Sequence, residues 1–137
     1  MNKTNTQKIF SAQAPYANSL QGPSQRLLFV CSVGLLRSPT CANVATKLGF
    51  NARSCGSDVD IALIPISANL IEWAETIIFM TTKNFSEVLK TFKDTGYDEI
   101  VEDKSVIWYI EDDYDYGDQV LVDNAKYLLG KYSIQIE

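Results

Sequence analysis

The amino-acid sequence predicts an α/β domain, a three-layer sandwich in which a central four-stranded parallel sheet carries helices on both faces. Three observations lead there: short continuous apolar runs recur along the chain, amphipathic helical patterns separate them, and turn-forming residues mark the junctions. Continuous rather than alternating apolarity means strands buried on both faces, as in a parallel sheet covered by its crossover helices. With 137 residues and 46% hydrophobic content, the chain suffices for one such domain with a real core.

The elements follow in order. Residues 1–25 are rich in Asn, Gln, Ser and Ala and contain Pro15 and Pro23. They read as an amino-terminal extension, a composition that suits a mobile arm, ahead of an α/β domain over 26–137. "LLFVC", ending at Cys31, is the first buried strand. Ser38 is an N-cap candidate and Pro39 suits a first helical position, so "TCANVATKL" reads as a helix that Gly49 stops. "NARSC" is a short second strand. After a loop with Gly56 and Pro65, Ser67 caps the helix "ANLIEWAE". "TIIFM" is the third strand, "KNFSEVLKTF" an amphipathic helix, and "SVIWYI" the fourth strand, which ends before an acidic run. "DQVLVDNAKYLLGK" is the last helix. Ligands of such sheets bind at the carboxyl ends of the strands.

Composition narrows the function. A net charge of −5 disfavours generic attraction to nucleic acid or to an anionic membrane, both of which call for a basic face. No apolar run approaches a bilayer span, and "MNKTNTQKIF" lacks the apolar centre of a secretory signal. Three cysteines, an odd count, suit reduced thiols in a cytoplasmic chain. The absence of histidine removes the commonest metal ligand and the usual neutral-pH proton shuttle, so no metal or cofactor is expected.

The chemistry concentrates in "VCSVGLLRSPT". Cys31 ends a buried strand; five residues later come Arg37 and Ser38, at the start of a helix. A loop wrapped toward that helix aims the backbone N–H groups of Ser32, Val33, Gly34, Leu35 and Leu36 inward as an oxyanion cradle, with Gly34 supplying a positive φ. Those dipoles and Arg37 favour the thiolate of Cys31. The planar fork of Arg37 matches two oxygens of a tetrahedral dianion, which points to phosphate. Attack by the thiolate forms a cysteinyl-phosphate, the hydroxyl of Ser38 eases departure of the sulfur, and a general acid protonates the leaving oxygen.

These residues resemble the low-molecular-weight protein tyrosine phosphatases, especially their short bacterial and phage-like branch, which share a flavodoxin-like fold. "LLFVCSVGLLRSPT" looks like the family's phosphate-binding loop, "RSCGS" and "LIEWAETIIFM" resemble its second and third strand regions, and "IEDDYDYGD" resembles its late acid loop. The likeness spans about residues 26–132. It implies Cys31 as nucleophile, Arg37 as phosphoryl ligand and Ser38 as support for the thiolate. The family's acid loop carries Asp, Pro and Tyr where this chain has Asp112, Asp113 and Tyr114, which implies Asp112 as general acid. The missing Pro leaves Asp113 and Asp115 as alternatives. Tyr114 and Tyr116 are candidates to line the pocket wall and stack on an aryl substrate.

Other departures carry expectations of their own. Gly34 stands where relatives commonly have a bracing Asn, which implies a softer loop. Leu36 replaces a second loop cysteine that many relatives pair with the first. The segment Asp58–Ile66 is shorter than the corresponding wall in larger relatives, which implies a more open site. The implied activity is a metal-independent cysteine phosphatase acting on a phosphorylated protein, with phosphotyrosine as the expected residue, or on a small aryl phosphate. An arsenate reductase-like thiol enzyme using Cys41 or Cys55 is one alternative, and a non-catalytic phosphate-binding module is another. Oligomeric state is not legible in the sequence.

Overall fold

The structure is a computed structural model and describes residues 25–34, 36–110 and 116–136. Four strands form one parallel sheet: β1 (Arg26–Cys31), β2 (Asn51–Gly56), β3 (Thr76–Phe79) and β4 (Ser105–Ile107), in the spatial order β2-β1-β3-β4. Five helices are interspersed: α1 (Arg37–Lys47), α2 (Ala68–Trp73), α3 (Thr82–Thr91), α4 (Tyr97–Lys104) and α5 (Gln119–Ile136). The first crossover runs from β1 to β2 on one side, and the next leads to β3 on the other. The strand order therefore reverses at β1, and Cys31 lies at the carboxyl end of that switch point.

Both faces of the sheet are buried, as the apolar runs predict. Leu27, Phe29 and Cys31 of β1 join Ile78 and Met80 in one core, closed by Cys41, Val44 and Ala45 of α1 and by Leu121, Ala125 and Leu129 of α5. Leu28 and Val30, one residue out of phase, join Ile77 and Phe79 in a second core under Leu70 and Ile71 of α2, Val88 of α3 and Val101 of α4. Alternate side chains of one strand thus serve opposite cores, which requires apolar residues at every position. The result is the three-layer sandwich expected. No helix among the described residues is long and apolar enough to cross a membrane.

Differences from the sequence reading are local. The cap of α1 is Leu36, without a side-chain hydrogen bond, and Ser38 lies inside the helix with its hydroxyl turned into the fold. Pro39 still falls in the first turn, where its missing N–H removes no intrahelical bond. Ser67 does cap α2, accepting from the Leu70 N–H at 3.3 Å, but the helix stops at Trp73 because Ala74 is already extended. Helix α4 was not anticipated, since "YDEIVEDK" buries only Val101 and presents little apolar periodicity. β4 keeps three residues of "SVIWYI", whereas α5 reaches Ile136. The extension over 1–25 lies outside the described residues except for Gln25, whose carbonyl accepts from the Asn51 N–H at 3.0 Å.

Phe29 is fully buried at the centre of the first core, edge-on to Trp108 with ring centroids 5.5 Å apart. Replacing it by Ala removes that packing and leaves a cavity. Phe29→Ala is expected to lower unfolding free energy by about 3–5 kcal/mol, measured by urea denaturation.

Candidate active site

The site grows from the ends of β1 and β2. Parallel pairing ends at Cys31 opposite Gly56, yet the ladder continues into the loops, with Ser57 N–H donating to the Cys31 carbonyl at 2.8 Å and Asp58 N–H to the Ser32 carbonyl at 2.9 Å. The loop after Cys31 is therefore pressed onto the end of β2. Gly34 has φ of +79°, and a Cβ there would stand 3.0 Å from backbone atoms of Cys55 and Gly56. Gly56 is confined from the other side: a Cβ on it would meet the Ser32 carbonyl oxygen and the Val33 carbonyl carbon at 2.8 Å. Each glycine occupies space that a side chain would take from the other's loop.

Within this frame Cys31 is 3% exposed, and its sulfur is a focus of donors. The Gly34 N–H donates to it at 3.2 Å, and the Ser38 Oγ lies 3.0 Å away. The Ser38 hydroxyl also lies 3.3 Å from the Cys55 carbonyl. It has a single proton, so the two contacts alternate: with a thiolate the hydroxyl donates to sulfur, and with a thiol it accepts from S–H and donates to the carbonyl. That is why Ser38 does not cap the helix. The first turn of α1 carries neither a side-chain cap nor an acidic residue, so no described side chain of the helix offsets the positive end of its dipole.

Arg37 is 3% exposed, and its Nη1 donates to the Ile110 carbonyl at 2.9 Å. One helical turn on, the Thr40 hydroxyl accepts from the Gly117 N–H at 2.9 Å. These bonds pin both flanks of the acidic segment 111–115 to the first turn of α1. Asp112, Asp113, Tyr114 and Asp115 themselves lie outside the described residues, as does Leu35. Tyr116 is exposed and borders a cavity of about 130 Å³ between α1 and α5 with Thr40, Asn43, Val44, Lys47 and Val122. Leu36 is 40% exposed on the rim of the loop.

Sequence reasoning missed a polar brace beneath the loop. Asn84 is fully buried at the start of α3, where its Oδ1 accepts from the Thr81 N–H and hydroxyl and completes a capping box. Its amide nitrogen donates to the Ser32 Oγ at 3.0 Å and the Ser57 Oγ at 3.2 Å, and the Ser57 hydroxyl donates to Glu87 at 2.9 Å. Two hydrogen bonds from α3 thus tie together the starts of the two loops that follow β1 and β2. A Thr three residues before an Asn at the start of "KNFSEVLKTF" is the signal that could have marked the cap, but nothing in the sequence points to its bonds with Ser32 and Ser57.

The remaining cysteines are fully buried free thiols. Burial, with a contribution from charge on Cys31, pushes the Cys41 thiol up to about 12; the same two causes, in the same order, raise Cys55. Neither is a nucleophile near neutral pH. Among the described residues no three His, Cys, Asp or Glu side chains cluster as a metal site.

The fold is that of the low-molecular-weight protein tyrosine phosphatases. Similar solved structures include the tyrosine phosphatase Wzb from Escherichia coli K30 in complex with phosphate, with 13% identity and a TM-score of 0.62 over 83% of this chain and 99% of that one. The YwlE arginine phosphatase from Geobacillus stearothermophilus has 17% identity and a TM-score of 0.56 over 82% and 97%. The low-molecular-weight protein tyrosine phosphatase from Campylobacter jejuni has 17% identity and 0.56 over 80% and 96%. No family model matches the sequence, and no curated protein is significantly similar to it, so the likeness is one of fold.

Two outcomes follow from this geometry. Gly34→Ala forces a side chain into a left-handed position against the β2 backbone, so it is expected to cost about 1–3 kcal/mol in urea unfolding. The thiols set an alkaline limit. An unfolded Cys41 releases its proton near pH 9.0 and the folded one near 12, so its contribution is complete below pH 9 and falls away as pH rises from 9 toward 12. Unfolding free energy should drop in that window by up to about 1.4 kcal/mol per pH unit per thiol, and Cys41→Ala should flatten the profile.

Proposed function

We propose that this chain is a cysteine-dependent, metal-independent phosphatase that hydrolyses phosphate monoesters through a cysteinyl-phosphate, with phosphotyrosine in proteins as its substrate class. The observation that carries this reading is the sulfur of Cys31, which sits at a strand end between the Gly34 N–H and the Ser38 hydroxyl, with Arg37 buried at the adjoining helix start. A phosphoryl group entering the cradle meets the guanidinium of Arg37 and backbone N–H groups of the described loop residues Ser32, Val33, Gly34 and Leu36. Both neutralise its equatorial oxygens as charge redistributes. The thiolate attacks phosphorus in line, the P–O bond to the leaving group breaks, and the acid delivers a proton to that oxygen. Water then attacks the cysteinyl-phosphate, the same carboxylate takes its proton, and the sulfur leaves as thiolate stabilised by Ser38.

The proposed acid is Asp112, with Asp113 and Asp115 as alternatives. The carbonyl of Ile110, the residue that precedes the acidic segment in the sequence, accepts from Arg37 at 2.9 Å, which supports drawing the acid from that segment. The thiol-redox alternative loses ground because Cys41 and Cys55 are buried, weakly ionising thiols.

Hydrolysis of p-nitrophenyl phosphate in EDTA, from about pH 4.5 to 8, tests the reading. Cys31→Ser is expected to abolish turnover, and Asp112→Asn to lower kcat by about 10²–10⁴-fold. Full turnover by Cys31→Ser would overturn the mechanism; an unaffected Asp112→Asn would pass the acid role to Asp113 or Asp115. Phosphate binding by the wild type without turnover would favour the binding module. Parallel assays on phosphotyrosine and phosphoarginine peptides decide the substrate class.

A further inference from the structure

The chain leaves β4 through a residue whose backbone conformation its side chain opposes. Among the described residues, Asp94 and Tyr109 are the two non-glycines with positive φ. An Asp visits that region with help from its short polar side chain, and Asp94 stands in an exposed turn. Tyr109, at φ of +57°, has no such help: its ring is 72% exposed and makes no hydrogen bond or ring contact among the described residues. The conformation is imposed by the backbone on either side, where Trp108 and Ile110 are both buried in the first core.

The hydrogen bonds show how. In a regular parallel ladder, N–H groups two residues apart on one strand meet carbonyls two residues apart on the next. Trp108 N–H donates to the Phe79 carbonyl at 2.9 Å, but Ile110 N–H donates to the Met80 carbonyl at 2.7 Å, so two residues after β4 advance against one after β3. Thr81, the acceptor a regular ladder would use next, is the N-cap of α3, and its carbonyl is taken by the Phe85 N–H. Tyr109 absorbs the extra residue as a bulge. The consequence falls on Ile110: its N–H is turned back to Met80, and its carbonyl accepts from Arg37 Nη1 of α1 at 2.9 Å.

We infer that Tyr109 is a positioning residue for Arg37. Its left-handed backbone, rather than its phenol, aims the Ile110 carbonyl, and that carbonyl orients the guanidinium whose remaining fork meets a phosphoryl group. The inference rests on the phosphatase reading for what Arg37 binds. Two observations set this apart from an accident of the chain. Backbone strain persists where the surroundings over-determine it, characteristically at binding sites, and Tyr109 lies beyond the carboxyl end of β4, on the side of the sheet edge where β1 ends at Cys31. Arg37 is itself 3% exposed, so the direction of its head group depends on buried acceptors and not on water.

The test exchanges the backbone preference at position 109. A β-branched Val opposes the left-handed region, whereas Gly and Asn enter it readily. Affinity for inorganic phosphate is measured by calorimetry in the Cys31→Ser background, turnover of p-nitrophenyl phosphate with Cys31 present, and folding by circular dichroism and urea unfolding. Tyr109→Val is expected to weaken phosphate binding by about tenfold and to lower kcat/KM by a similar factor. Tyr109→Gly and Tyr109→Asn should rescue both to within about twofold of the wild type. In an Arg37→Lys background the Val substitution should change phosphate affinity by less than about twofold, because the residue it acts through is gone. If Tyr109→Val does not fold, the milder Tyr109→Ala takes its place in each comparison. Unchanged phosphate affinity in the folded Val or Ala variant, or an equal loss in Tyr109→Gly, would overturn the positioning role and leave the phosphatase standing. So would an undiminished loss in the Arg37→Lys background. The expected pattern of phosphate affinities with no hydrolysis would keep the positioning role and remove the phosphatase, and failure of the parent proteins to bind phosphate would overturn both.

Discussion

The close approach of two loops at the carboxyl ends of β1 and β2 is the constraint on which the site depends. Hydrogen bonds from Ser57 and Asp58 carry the ladder beyond the last paired strand residues, so the backbone leaving β2 templates the backbone leaving β1. The fit is tight enough that Gly34 and Gly56 each stand where a methyl group would strike the opposing chain. A left-handed residue three positions after Cys31 then folds the loop back until its own N–H reaches the sulfur. The sulfur of Cys31 is therefore held in part by main chain, which cannot change rotamer.

Helix α1 connects that loop to the rest of the candidate site. Its first turn supplies Ser38 to the sulfur and holds Arg37 against the Ile110 carbonyl, and Thr40 takes up the Gly117 N–H. Arg37 and both flanks of the acidic segment thus share one rigid element, so a shift of α1 would displace them together. On the opposite side, Asn84 ties Ser32 and Ser57 to α3. A buried amide of this kind is stable only with its donors and acceptors paired, and its partners here are the two loops that form the site. Stability and positioning of the loop are consequently one property.

Sequence reading went furthest where one physical rule acted alone. Continuous apolar runs marked β1 and β3 because burial on both faces favours apolar residues throughout, and Ser67 was legible as a cap because capping is local. Ser38 was misread for the converse reason. Its local preference for a cap lost to a sulfur and a carbonyl brought near by tertiary folding. Helix α4 escaped notice because a helix that buries a single side chain leaves almost no periodic trace. The roles of Asn84, Ser57 and Thr40 were invisible because each acts on residues 25 or more positions away.

By itself, then, the sequence determined the layered α/β architecture and the spacing of Cys31, Arg37 and Ser38, because strand burial and a strand-loop-helix turn are written in neighbouring residues. The tertiary structure decided which donors reach the sulfur, where Arg37 is anchored, and which thiols are excluded from chemistry. It also decided that Ile61 and Leu63 stay outside while Ala62 and Ile66 turn in. Those outcomes depend on distances between segments far apart in the chain, and such distances are set only when the sheet brings its strand ends together.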